Sequence, residues 1–210
     1  MSERGVERAF LLCESITRAR ARNFYYGIRL LAPHRRAAMC AVYALARRID
    51  DIGDGSAPRV AKLDALTQAR RSLAELDDPG NDPVLTAVAD VARRLPLPLG
   101  AFDELIDGVE MDVRGRCYAE FDELVEYCRC VAGAVGRLCL AVMGSRSDPR
   151  AVEYADALGI ALQQINILRD LREDLGTCRV YLPREDLARF GVALTLDARG
   201  ALVDPDGRLA

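Results

Sequence analysis

An all-α fold is predicted by three features of the sequence. Apolar residues recur three and four positions apart through most of its 210 residues, and clusters of Pro, Gly, Asn and Asp separate these stretches. No segment before the short run 179–183 (RVYLP) reads as a strand.

Taken in order, the first helix is expected over 6–22, an amphipathic stretch that ends well before Pro33. The second, 35–51, is rich in Ala, Met, Leu and Tyr and stops ahead of the GDGSAP connection. The third, 59–76, alternates apolar and charged residues at helical spacing up to DDPGNDP. Helices then follow over 84–94, 101–113, 121–143 and 151–175, with LPLPLG separating the first two of these. Residues 194–210 read as a loop and hairpin leading onward, which suggests a truncated chain. The helices are short enough to form a bundle around a shared interior.

Composition narrows the function classes. Half of the residues are hydrophobic and the net charge is -3, which fits one or at most two soluble globular domains with an ample core. Apolar runs are broken by Arg or Gly well before the roughly 18 residues of a membrane span. Glu3, Arg4, Glu7 and Arg8 precede any apolar stretch, unlike a signal peptide, so a cytoplasmic location is expected, with a peripheral place at the inner face of the membrane compatible with it. The seven cysteines lack the two-residue spacing of zinc or redox sites and read as reduced, small apolar residues. The lone histidine, His34, excludes metal sites built from several imidazoles within one chain, and its place after Pro33 suggests an exposed residue without function. A slightly acidic chain with no basic, aromatic-interleaved block argues against a nucleic-acid partner.

Two aspartate pairs carry the chemistry. Asp50 and Asp54 lie in RRIDDIGD, Asp170 and Asp174 in QQINILRDLRED. Residues four apart share one helix face with about 6 Å of axial rise, so each pair points two carboxylates into one small volume. Such hard oxygen ligands suit Mg²⁺, which takes one or two protein carboxylates and completes its shell with water and substrate phosphates. The first pair continues a stripe with Tyr43 and Arg47, the second a stripe with Gly159, Gln163 and Asn166. An exposed acidic face would explain an isolated pair, but Gln163 and Asn166 extend the second stripe into an apolar stretch. Burying carboxylates without compensation costs several kcal/mol each, so they are either solvated or neutralised by cation and ligand. The acidic stretch Asp103, Asp107, Glu110 and Asp112 reads as mostly solvated face, with contact of Asp112 to the site as the lesser alternative. Between the pairs, the small residues Ala132, Gly133, Ala134 and Gly136 make room either for close helix packing or for an apolar chain.

Three blocks together resemble the squalene/phytoene synthase family: NFYYGIRLLAPHRRAAMCAVYALARRIDDIGD, YCRCVAGAVGRLCLAVMG and LGIALQQINILRDLREDLGTCRVYLP. The resemblance spans most of residues 15–190. It implies an isoprenoid-synthase-like helical bundle around a central cavity, one domain over 1–210 that lacks the family's C-terminal helices. Asp50, Asp54, Asp170 and Asp174 become ligands of Mg²⁺, or of Mn²⁺ in its place, with Asp51 as helper. Arg47 would bind diphosphate; Tyr43, Tyr127, Gln163 and Asn166 would line the reacting centre; Arg179 and Tyr181 would close the diphosphate end. Phe24 would line a prenyl channel, although core packing accounts equally well for Phe24, Tyr43 and Tyr181. The implied reaction is Mg²⁺-dependent head-to-head condensation of two farnesyl diphosphates to presqualene diphosphate. The segments ARNFYYGIRLL, DELIDGVEMDVRGR and CRCVAG look most like bacterial presqualene diphosphate synthases of the hopanoid pathway. Phytoene synthesis from geranylgeranyl diphosphate is the alternative, and an impaired fragment or a non-catalytic helical interaction protein stands as a different class. NADPH is not expected, since no Gly-rich dinucleotide fingerprint follows a strand, though the family's reductive members need none. Prenyl diphosphates are the implied partners, and the resemblance also admits downstream isoprenoid enzymes.

Overall fold

Pro33 opens the helix around which the rest assembles. In the structure, a computed structural model that describes residues 3–144 and 148–203, helix α3 runs Pro33–Asp54 and buries Ala38, Met39, Cys40, Ala41 and Val42 together with Ala44, Leu45, Ala46, Ile49 and Gly53. A helix apolar on most of its faces needs neighbours on most of its faces. Those neighbours are α1 (Glu3–Arg20), α4 (Arg59–Ala74), α5 (Pro83–Arg94), α6 (Gly100–Arg114) and α8 (Ala134–Met143). The main core runs through α1, α3, α4, α5, α6 and α8, with Phe102, Ile49, Leu66 and Leu138 among its fully buried side chains.

Helix α5 shows how locally its start is encoded. Asp82 accepts hydrogen bonds from the N–H groups of Val84 and Leu85 at 2.9 and 3.1 Å, and Pro83 occupies the first turn, where a missing N–H costs nothing. Asp82 also receives both terminal nitrogens of Arg48 at 2.6 and 3.0 Å, joining the cap to α3. Asp82→Ala is therefore expected to cost about 1–2 kcal/mol, measured by urea unfolding.

The remaining helices are α2 (Asn23–Ile28), α7 (Phe121–Cys128), α9 (Ala151–Arg169), α10 (Leu171–Gly176) and α11 (Arg184–Phe190). Expected and observed bounds differ in instructive ways. The continuous helix expected over 121–143 contains a π-helical turn at Arg129–Gly133 between α7 and α8. The helix expected over 151–175 breaks at Asp170, whose φ of -97° and ψ of 8° end α9 and start α10. Helices α2 and α11, of six and seven residues, were not expected. Two turns are too short for hydrophobic periodicity to show. The run 179–183 is not a strand; among the described residues the only β pairing is an isolated antiparallel bridge between Leu196 and Leu202. That bridge lies in the expected hairpin, and residues 204–210 of that segment lie outside the described residues.

The small residues of the middle block serve close packing. A methyl group on Gly136 would overlap the backbone carbonyl of Ala155, and one on Gly159 would overlap that of Ala132. The π turn and α8 thus meet α9 backbone to backbone at these two glycines, which is the close-packing use of the stripe. Arg129 and Arg137 then tie Asp156 of α9 to the π turn and α8, Arg129 at 3.0 Å, while Arg137 also holds Glu104 of α6. The opposite side of α9 leaves Leu158, Leu162, Ile165 and Leu168 exposed.

Candidate active site

Four parts of the bundle converge on one cavity of about 280 Å³. The C-terminal turn of α3 contributes Asp50, Gly53 and Asp54, and the last turns of α6 contribute Val109 and Asp112. Tyr127 and Val131 come from α7 and the π turn, Gln163, Asn166 and Ile167 from α9. Asp170, Asp174, Arg179 and Tyr181 complete the wall. The break at Asp170 does not separate the second pair, because the Asp174 N–H still donates to the Asp170 carbonyl at 2.9 Å. Beyond α10, Cys178 adopts a left-handed backbone with φ of 61°, and the next N–H, that of Arg179, returns to the Asp174 carbonyl at 2.8 Å. This turn holds the Arg179 guanidinium 3.4 Å from Asp54.

The two aspartate pairs, nearly 120 residues apart in sequence between Asp54 and Asp170, thus line one cavity together with Tyr127, Gln163, Asn166, Arg179 and Tyr181. Tyr43, Arg47 and Phe24 lie elsewhere. The Arg47 side chain turns to Asp51 at 2.6 Å and lines a separate groove with Ser15, Arg20 and Arg48, while Arg20 reaches the same Asp51 at 2.9 Å. The Arg47 Nε is buried without a hydrogen-bond partner. Tyr43 is partly buried one turn before Arg47, and Phe24 on α2 is 79% exposed. His34 is exposed.

Asp112 corrects the sequence reading of the acidic stretch. Asp103 and Asp107 do face solvent and pair with Arg70, and Glu110 pairs with Arg114. Asp112 instead turns into the cavity, where it accepts hydrogen bonds from the hydroxyls of Tyr127 and Tyr181, both at 2.9 Å. A signal for this exists: Phe102, Leu105, Val109 and Asp112 are three, four and three apart, and the first three are buried, so Asp112 prolongs the inward stripe.

Electrostatics mark the cavity as short of positive charge. Burial, reinforced by the charges of Asp54, Asp51 and Asp112, pushes the Asp50 carboxyl up to about 6 against the pull of Arg47. Burial likewise lifts Asp174 to about 6, with Asp170 and Asp112 adding to it and Arg179 opposing. Burial raises Asp112 too, despite its two tyrosyl donors. Asp170 goes the other way, because the Arg169 guanidinium, 2.7 Å away, stabilises its ionised form.

Whether a divalent cation fits can be judged from these donors. Among the described residues no three His, Cys, Asp or Glu side chains stand close enough to hold an ion by themselves. The donor set fits an ion that takes one or two carboxylates and draws its other ligands from water and phosphate, as Mg²⁺ does. Protons and cations compete for Asp50 and Asp174, because an ion binds the carboxylate and not the acid. Stabilisation by Mg²⁺ is therefore expected to be present at neutral pH and lost as pH falls through about 6. In the metal-free protein the same two groups act with opposite sign: each takes a proton more readily folded than unfolded, so their contribution to stability falls as pH rises through that range. Melting curves across this pH range with and without Mg²⁺ check the prediction, and a pH-independent increment contradicts it.

A helical bundle that brings two Asp-x-x-x-Asp pairs to one cavity belongs to the isoprenoid-synthase-like class of folds. Residues 17–208 match the squalene/phytoene synthase family. A phytoene synthase of Mycobacterium tuberculosis is 55% identical over 205 residues, covering 98% of this chain and 67% of that protein. Among solved structures, a dehydrosqualene synthase superposes with a TM-score of 0.81 at 34% identity, over 90% of this chain and 65% of the other. The squalene synthase HpnC from Alicyclobacillus acidocaldarius gives 0.82 at 32% identity, over 90% and 71%. The chain spans about two thirds of the length of these relatives. It belongs to the squalene/phytoene synthase family, prenyltransferases that join prenyl diphosphates head to head. Among the described residues no helix is long and apolar enough to cross a membrane.

Proposed function

We propose that this chain carries the diphosphate-binding site of a head-to-head prenyltransferase and that its substrate is geranylgeranyl diphosphate, two molecules of which would be joined into phytoene. The convergence of Asp50, Asp54, Asp170 and Asp174 on one cavity with Arg179 is the observation that carries the reaction class. The choice of substrate leans on the 55% identity to a protein named phytoene synthase, against 32–34% to the solved squalene and dehydrosqualene synthases. Condensation of two farnesyl diphosphates to presqualene diphosphate is the second reading, favoured by the close superposition on those two structures.

Each part of the chemistry has its residues. Asp50 and Asp54 on one side and Asp170 and Asp174 on the other would hold divalent cations, which when bound neutralise a leaving diphosphate. Arg179 adds a fixed positive charge at the same end, where negative charge develops as the C–O bond breaks. Gln163 and Asn166, one turn apart and 3.4 Å from each other, orient the reacting groups from α9. Val109, Val131 and Ile167 supply the apolar wall that keeps water from an allylic cation. No step draws on NADPH.

The test is product analysis of the chain with Mg²⁺ and either prenyl diphosphate. A phytoene-type product from geranylgeranyl diphosphate supports the first reading, and presqualene diphosphate from farnesyl diphosphate supports the second. Turnover of neither substrate, with no rise in melting temperature from Mg²⁺ plus prenyl diphosphate, overturns both and leaves a non-catalytic helical protein.

A further inference from the structure

Three elements distant in sequence meet at Asp112. Its Oδ2 accepts the hydroxyl proton of Tyr127 from α7 and its Oδ1 that of Tyr181 from the loop after α10, while Asp112 itself stands in the last turn of α6. The two rings stack with centroids 5.1 Å apart and 25° between planes, and Tyr118 packs 5.6 Å from Tyr127 and 6.4 Å from Tyr181. Tyr127 and Tyr181 are 3% and 8% exposed, so neither ring has room to swing. Both nevertheless line the cavity.

A tyrosyl hydroxyl has one proton and two lone pairs. We propose that Asp112 is a positioning residue that takes both tyrosyl protons, so that Tyr127 and Tyr181 present only oxygen lone pairs to the cavity. This rests on the reading of the cavity as a prenyl diphosphate site. The two hydroxyls then cannot donate to a diphosphate, whose anchoring falls to Arg179 and the aspartate-held ions. They instead place negative potential beside the carbon that becomes cationic. Without Asp112 both protons are released, and each hydroxyl turns to its neighbour, 3.3 Å away, or to the diphosphate. Among the described residues the hydroxyls of Tyr127 and Tyr181 bond to Asp112 and to each other, so Asp112 is the acceptor that sets where both protons point.

Asp112→Asn tests the proposal, because an amide of the same shape offers one acceptor oxygen in place of two. Turnover is expected to fall about 100-fold with KM changed less than about threefold, since orientation is lost and binding is not. The Mg²⁺-induced rise in melting temperature is expected to survive. A readout independent of turnover is the tyrosine Fermi doublet in the ultraviolet Raman spectrum, which reports whether hydroxyls donate. It should move away from the donor limit in Asp112→Asn, and the same substitution in the Tyr127→Phe/Tyr181→Phe protein should leave it unchanged. Should Asp112→Asn unfold, Tyr127→Phe and Tyr181→Phe singly report the two bonds, each removing one donor. An unchanged doublet overturns the proposal, as does wild-type turnover in Asp112→Asn. Loss of the Mg²⁺ increment would make Asp112 a metal ligand and equally overturn it. If the unsubstituted chain condenses no prenyl diphosphate, the functional reading fails on that result alone, while the Raman comparison still decides the hydrogen-bonded triad.

Discussion

Asp50→Asn is expected to reduce turnover by about a thousandfold or more while leaving the metal-free fold intact, since losing several kcal/mol of charge stabilisation at the leaving group costs a factor of ten per 1.4 kcal/mol. The metal-free variant should melt no lower than the parent at neutral pH. The reason is the sign of the perturbation: burial pushes the Asp50 carboxyl up to about 6, so holding it ionised at neutral pH works against folding, and a neutral amide removes that burden. Its response to Mg²⁺ should shrink at the same time. Asp170→Asn should also abolish turnover but bring no gain in metal-free stability, because Asp170 is already stabilised by Arg169. Parallel melting curves and rate measurements check both variants. A near-parental rate in either would remove that aspartate from the metal-binding set.

Gly159→Ala is the largest structural effect expected. An added methyl would press on the backbone carbonyl oxygen and carbon of Ala132 and stand 2.8 Å from the Gly133 nitrogen. Backbone cannot step aside as a flexible side chain does, so α9 itself must move away from the π turn. A cost of about 3 kcal/mol, at the upper end for overpacking, corresponds to a melting point lower by roughly 6–12 °C for a chain of this size. Gln163 and Asn166 lie one and two turns along the displaced helix, so the rate should fall further than stability alone explains. Gly176→Ala is the control: nothing lies within 4 Å of its added methyl, and no loss is expected. An unchanged melting point in Gly159→Ala would show that α9 does not pack tightly on the π turn.

Much of this was legible without coordinates, and the residues show why. Helical periodicity is a property of neighbours three and four apart, so α1, α3, α5 and α6 were readable to within a few residues. The side chains of Asp50 with Asp54, and of Gln163 with Asn166, were readable as stripes for the same reason. The π turn at Arg129–Gly133 and the break at Asp170 were not, because both helical states share one pattern of apolar residues and packing against α9 and the cavity chooses between them. The small residues at Gly133 and Gly136 announced space but not its use; only α9, with the Asp156 side chain over Gly133 and the Ala155 backbone over Gly136, showed that close packing fills it. Asp112 stood out from its acidic stretch only as the lesser alternative, because its partners Tyr127 and Tyr181 come from other elements of the fold. Arg47, in line with Asp50 and Asp54 by spacing, pairs with Asp51 and is not among the residues that line the cavity, since a long side chain follows the nearest countercharge. Local order along the chain determined the helices and the paired carboxylates. Which groups face one another across the cavity depended on contacts between segments some 60 to 120 residues apart, and spacing within a helix carries no information about those.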